Sequence, residues 1–455
     1  MKNILQRSVV ELYIYIFFIS ISFLAILLKY DILLFANLGI IVVIGSIFLL
    51  KNKHLLLLVG ITVSIFQGGL STFISGTYVV CYIYILMLIA ILISRNKIRF
   101  DKFILVLCIV TLLLNITPLI FNGTSIPILL ISILKRFGFI IVYIYTLNLL
   151  SFSNKKQDVI SKLFVWFLII NFFVAVIQFS KGTYLQDSIT GLLGYGMSGI
   201  LIYLFMMYIG VISGFHYKKK LSLFSFILLV LIPLVYSAIA EVKVGFVTTT
   251  ILLMIYFFFI NRNYKSFISL AIIFIILINI YSLFVSFYPN HDFANKAFLE
   301  KYLVEQDYGA DGSINRFNFA DKIDTIIFSN QTERFLGMGL GSGNPSEIDM
   351  LKGNLFVEFD YMKYRWFTLP YLYVESGLIG LILYISIYLT PLIYSLKHFK
   401  KWKSPLSVTA ILMSVTNLMF LPYNSGLLDF GVITVFWTFI AFLKLEEIEF
   451  RKKNE

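Results

Sequence analysis

The feature that most constrains this chain is a long succession of apolar runs, each close to the length needed to cross a bilayer. A spanning helix takes about 20 mostly apolar residues. Such runs fall at 8–28, 32–50, 55–75, 77–94, 103–121, 137–152, 160–180, 195–214, 221–240, 245–260, 266–288, 368–396, 404–424 and 427–444. The expectation is an all-α polytopic membrane protein with about fourteen transmembrane helices. Composition excludes the alternatives. The chain is 59% hydrophobic and 13% charged, whereas a soluble domain carries about 25% charge. A soluble fold of this size has nowhere to bury so much apolar surface. A disordered chain is apolar-poor and charge-rich.

Sidedness follows from the basic residues. Alternate loops carry Lys51 and Lys53, then Arg95 to Lys102, Lys155 and Lys156, Lys218 to Lys220, Arg262 and Lys265, and Lys397 to Lys403. The tail adds Arg451, Lys452 and Lys453. The loops between these are short and poor in positive charge, so both termini are expected in the cytoplasm. The net charge of +13 then reads as topology, and no nucleic-acid partner is implied. Lys2 and Arg7 precede an apolar run without a small-residue cleavage site, which reads as an anchor. Cys81 and Cys108 lie in apolar runs and read as buried thiols, with no disulfide framework and no metal spacing. The histidines form no cluster, and three of them are expected at inner loop edges.

The chain therefore divides into transmembrane helices at 1–288, one large extracytoplasmic loop at 289–367, and the last spans with a cytoplasmic tail at 368–455. The loop holds twelve Asp and Glu against eight Lys and Arg, so it is net acidic in a net basic protein. Loops beyond about 12–15 residues are usually functional or disordered. Aromatic and aliphatic residues run through this one, which favours folding against the membrane domain. Phe319, Ile323, Ile326 and Ile327 share one face, with Asp321, Lys322 and Asp324 between them. That spacing predicts an amphipathic helix, led by Arg316.

Five places on or near the outer side are able to carry chemistry. The first is Arg334 to Asn344, where glycines alternate at 337, 339, 341 and 343. Such a turn exposes backbone N–H groups able to hold an oxyanion, with Gly339, Gly341 and Ser342 at its centre and Arg316 and Arg334 beside it as phosphate forks. A tight turn with no ligand is the plain alternative. The second is Tyr371 to Ile382, where Glu375 sits inside an expected span. An intramembrane carboxylate is a functional hypothesis by default, and pairing to an arginine within the bundle is its structural alternative. The third is the short outer turn with Glu241 and Lys243. The fourth is Lys135–Arg136, an outer basic pair against the positive-inside trend, suited to a lipid phosphate. The fifth, Gly191 to Ile200, reads as close packing. Cations there suit a departing diphosphate, and a carboxylate suits the proton of an attacking hydroxyl.

A long extracytoplasmic loop late in a polytopic chain, an Arg-led helix, the run R-F-L-G-x-G-x-G-S at Arg334–Ser342 and E-x-G-L-I-G at Glu375–Gly380 together resemble the bacterial O-antigen polymerase/ligase family (Wzy-like). The sharp part covers 316–343 and 371–382, within a wider likeness over about 170–390. The resemblance implies a GT-C-like, inverting, metal-independent glycosyltransferase without a cofactor, in the bacterial inner (cytoplasmic) membrane. Its substrate would be an oligosaccharide on undecaprenyl diphosphate at the outer leaflet. Its partners would be membrane lipids, with a chain-length regulator and a flippase beside it. Arg316 and Arg334 would hold the diphosphate, with Lys243 and Arg136 behind them.

One departure is plain. Ligases of this family often carry a His-Asn pair shortly before the glutamate, and here that stretch reads RWFTLPYLYVE. A polymerase is thus favoured over a ligase, and the base falls to Glu375, with Glu358 or Asp360 in reserve. A transporter or flippase of the lipid-linked sugar is the reading from another class. It fits the number of spans, but no internal repeat of the kind transporters show is visible.

Overall fold

The computed structural model describes residues 45–70, 76–94, 98–118, 125–149, 154–182, 188–262, 264–288, 313–314, 316, 318–346 and 348–454. The first expected span, most of the second, His291 and the loop's opening stretch lie outside them. The described residues are 81% helical with no strand among them. This is an all-α, multi-pass membrane protein.

Six helices among the described residues are long and apolar enough to cross a bilayer. They are Gly76–Ile93, Ile126–Asn148, Gln157–Ser180, Ser198–Tyr217, Ile268–Ser286 and Thr368–Trp402. A pair bent by 120°, Gly45–Lys51 and Lys53–Ile65, passes only if taken as one span. Lys102–Ile116, Leu223–Ile239, Val244–Ile260 and Pro405–Phe420 are apolar but shorter. The described residues thus supply six or seven full-length spans, where about fourteen were expected.

Lipid is required by what these helices leave outside. The Ile268–Ser286 segment is only 28% buried, and it exposes Ile268, Ile272, Ile275, Ile278 and Leu283. Trp166, Ile170, Phe173 and Ile177 form a second exposed stripe on one face of helix Asn154–Ser180. Water does not tolerate apolar faces of this extent. The centre is Ser198–Tyr217, which packs most extensively on Pro405–Phe420. Gly210 and Gly214 bring the two backbones together, since a Cβ on Gly214 would stand 2.3 Å from Thr409 Oγ1. Tyr203 stacks on Phe420 at 4.3 Å and donates to Asn417 Oδ1 at 2.8 Å.

Three boundaries differ from expectation in ways that matter for the site. The helix expected at 137–152 begins at Ile126, so Lys135 and Arg136 lie well inside it and not ahead of it. The run 55–75 stops at Ile65 and resumes as a short helix, Gln67–Leu70. The last helix starts at Phe430, which leaves Asp429 in the connection outside it.

Helix Thr368–Trp402 spans 35 residues, about 50 Å if straight, well beyond a hydrocarbon core of about 30 Å. It is broken at Gly377, with φ 59° and ψ −167°. The part after the break is long enough to span, and the arm Thr368–Ser376 lies before it. There it meets the loop. Helix Phe319–Ile326 packs on this arm, with Phe319 and Phe328 against the Tyr373 ring. Ile323 and Ile327 are buried as expected, while Ile326 is exposed. Arg316 precedes the helix by a turn and does not start it.

The break is locked by facing glycines. A Cβ on Gly377 would stand 2.5 Å from the Phe335 carbonyl, and one on Gly337 would stand 2.4 Å from Ser376 N. Met338 N donates to Val374 O, and Gly339 N donates to Glu375 O, both at 2.9 Å. Alanine at either Gly337 or Gly377 should therefore destabilise the protein by about 1–3 kcal/mol through backbone strain alone, with the collision in addition. Gly196 also has positive φ, but nothing stands within 4 Å of its added Cβ. Thermal unfolding of the solubilised protein should place G337A and G377A clearly below G196A.

Candidate functional site

A cavity of about 770 Å³ opens among the connections that the charge alternation assigns to the outer side. That volume lies in the usual range for a ligand site. Its wall takes residues from several of these connections: Gln67 and Thr77, Gly196 to Ile200, Ala240 to Lys243, Arg316, Pro345, Arg365 to Phe367, Tyr423 to Ser425, and Leu428 to Phe430. Lys135, Arg136 and Tyr371 close its inner end from the bundle. The basic groups on the wall are Lys135, Arg136, Lys243, Arg316 and Arg365, against the carboxylates of Glu241 and Asp429.

Arg136 is buried and forms an ion pair with Glu375, both Nε and Nη2 donating to Oε2 at 3.1 and 2.9 Å. Its guanidinium also lies 4.2 Å from the Tyr371 ring centroid, a cation–π contact. The other carboxylate oxygen of Glu375 accepts from Gly341 N at 3.0 Å. Glu375 is 1% exposed and does not line the cavity. Off the wall and paired to a guanidinium, it suits a fixed counter-ion and not a general base.

The glycine turn has a role other than an anion cradle. Gly339, Gly341 and Ser342 are absent from the cavity wall. Gly339 N and Gly341 N serve the Glu375 backbone and carboxylate, and Ser342 Oγ donates to Gly339 O at 2.7 Å. The same turn continues to Asn344, whose N donates to Gly341 O at 3.0 Å. Asn344 Nδ2 donates to Leu351 O at 2.7 Å, which aims Oδ1 at Lys135 Nζ, also 2.7 Å away. Lys135 is thereby held on neutral oxygens, Asn344 Oδ1 and the Pro345 carbonyl. One turn thus places two neighbouring cations, Lys135 directly and Arg136 through Glu375.

Arg316 reaches the wall from the loop. Its Nε donates to Tyr423 O at 3.1 Å, and its guanidinium lies between the Phe367 and Tyr423 rings at 5.3 and 4.7 Å. Arg365 donates to Asp360 at 2.7 Å. Glu241 holds φ at +57°, at the left-handed end of helix Leu223–Ile239 where glycine is usual, and its carboxylate stands 3.7 Å from Lys243 Nζ.

Arg334 is not brought to the cavity. It lies on helix Gln331–Leu336, partly exposed, 3.7 Å from Asp324. Glu358 is exposed and also away from the wall. His398 is buried, not solvated, and His216 bonds the Tyr256 hydroxyl at 2.6 Å. Gln67, Arg365, Tyr423 and Asp429 are among the wall residues that sequence reasoning missed. Gln67 and Asp429 were hidden inside apolar runs, where an isolated polar residue is the available signal. No family model matches the chain, and no curated protein matches it.

Removing one partner of a buried ion pair strands the other, at about 3–5 kcal/mol. E375A and R136A should each lower thermal stability markedly. The double variant R136M/E375L should lose less than the sum of the two, because it leaves no buried charge. Simple additivity would show that the pair is not coupled.

Proposed function

We propose that this chain polymerises a cell-surface polysaccharide of the O-antigen, capsule or exopolysaccharide type. It transfers the growing glycan from undecaprenyl diphosphate to the next lipid-linked repeat unit at the outer leaflet. The GT-C-like arrangement and the remaining spans of the expected fourteen belong to the same proposal. The observation that carries it is the cavity, where Lys135 and Arg316 stand fixed on an outer-side wall lined by aromatic rings. Fixed cations lower the cost of charge developing on a departing diphosphate, most of all where they need not reorganise. Trp366, Phe367 and Tyr423 on the same wall offer flat apolar faces for sugar rings.

The diphosphate clamp is therefore Lys135 and Arg316, with Arg136 and Lys243 alongside, and Arg334 is excluded from it. K135A and R316A should each reduce transfer by about 10²–10³-fold, the loss expected when one charge-stabilising donor is removed. Cells carrying them should accumulate single lipid-linked repeats. R334A removes only a partly exposed ion pair, worth about 0–1 kcal/mol, and should make chains of normal length. Gel analysis of the surface glycan reads all three. Normal chains in both K135A and R316A would overturn the reading.

A further inference from the structure

Glycosyl transfer needs a group to take the proton of the attacking hydroxyl. Glu375 is committed to Arg136 and Gly341, Asp360 to Arg365, and Glu241 stands beside Lys243. Asp429 is the wall carboxylate whose hydrogen bonds all come from neutral N–H groups, so no cation holds it as a weak base. Its Oδ1 accepts from Gly431 N at 2.8 Å and Val432 N at 3.4 Å, capping helix Phe430–Asn454. Its Oδ2 is turned away from that helix and accepts from Gln67 Nε2. Gln67 also lines the cavity, and its Oε1 is buried with no hydrogen-bond partner among the described residues. A buried amide oxygen left without a donor is costly, and such exceptions call for an explanation.

We propose that Gln67 and Asp429 form the acceptor subsite of the transferase, with Asp429 as its general base. One acceptor-sugar hydroxyl donates to Gln67 Oε1. The attacking hydroxyl gives its proton to Asp429 Oδ2 while its oxygen bonds to the anomeric carbon of the donor glycan. The bond from that carbon to the diphosphate oxygen breaks, and the electron pair leaves with the diphosphate, facing Lys135 and Arg316. Asp429 then returns its proton to water. Burial pushes the Asp429 carboxyl up to about 6, nearer the working pH that favours a base. The inference rests on the glycosyl-transfer reading and names the base which that reading leaves open.

The test uses the full chain in nanodiscs with undecaprenyl-diphosphate-linked repeat units from the cells that make them. Asparagine caps a helix as well as aspartate does, and a turn of the Gln67 amide lets its Oε1 accept from the new Nδ2, so D429N keeps the fold and removes the base. The expected result is a wild-type melting temperature, unchanged binding of the lipid diphosphate, and turnover lowered about 10²–10⁴-fold. Q67A should raise KM for the acceptor more than it lowers kcat. Turnover of D429N within a few-fold of wild type would overturn the base and leave Asp429 as a cap only. Absence of any polymer from the wild-type protein would instead overturn the glycosyl-transfer reading itself.

Discussion

The buried ion pair between Arg136 and Glu375 is the contact on which the cavity-bearing end of this protein depends. Two charges removed from water are tolerated only with good geometry and every remaining lone pair met. Here the geometry is bidentate toward one oxygen, and the other oxygen takes Gly341 N. Meeting those needs brings together three distant parts of the chain: the helix Ile126–Leu149, the glycine turn of the long loop, and the broken arm of Thr368–Trp402. The arm must stop at Gly377 so that the turn can lie against it. The turn must be glycine-rich because two backbones meet there with no room for a Cβ at Gly337 or Gly377. The repeated glycines and the E-x-G sequence are thus the two halves of one contact.

Much of the architecture was legible in the sequence because lipid imposes a coarse, additive requirement. Apolar length marks the helices whatever their neighbours, and the all-α membrane character follows from it. Finer boundaries were not legible for a related reason. Lys135 and Arg136 interrupt the apolar pattern and so were read as a helix edge, yet Glu375 and Asn344 satisfy them deep inside a helix. Gln67 and Asp429 were absorbed into apolar runs because one polar residue barely changes an average over about 20. The apolar stripe of Phe319–Ile326 was sound in period, and of its four residues Ile326 alone is exposed.

The site was legible in type and not in arrangement. Outer cations and a carboxylate were expected together, and Lys135, Arg136, Glu241, Lys243 and Arg316 do share one cavity. Arg316 and Arg334 flank the same turn and look equivalent in sequence. One lies between two aromatic rings at the cavity, and the other turns outward to Asp324. That choice is made by the fold, through Tyr423 on a connection far along the chain. Alternating glycine has a similar ambiguity. It reports that something approaches the backbone closely, and a phosphate or a second backbone satisfies it equally well.

A rigid turn that contacts no ligand can still govern how one is held. Lys135 and Arg136 are adjacent, so their side chains leave one helix in different directions. Asn344 fixes the first, and Gly341, through Glu375, fixes the second. Both anchors belong to the same few residues, bonded to each other through Asn344 N and Gly341 O. Movement of the turn therefore shifts both cations together, where separate anchors would let each drift alone. Electrostatic stabilisation of a leaving group loses most of its value when the charges must reorganise during the reaction. For the glycosyl transfer proposed above, placing both anchors on one turn would remove that cost. It also explains why the loop's most constrained segment lies behind the cavity wall and not on it.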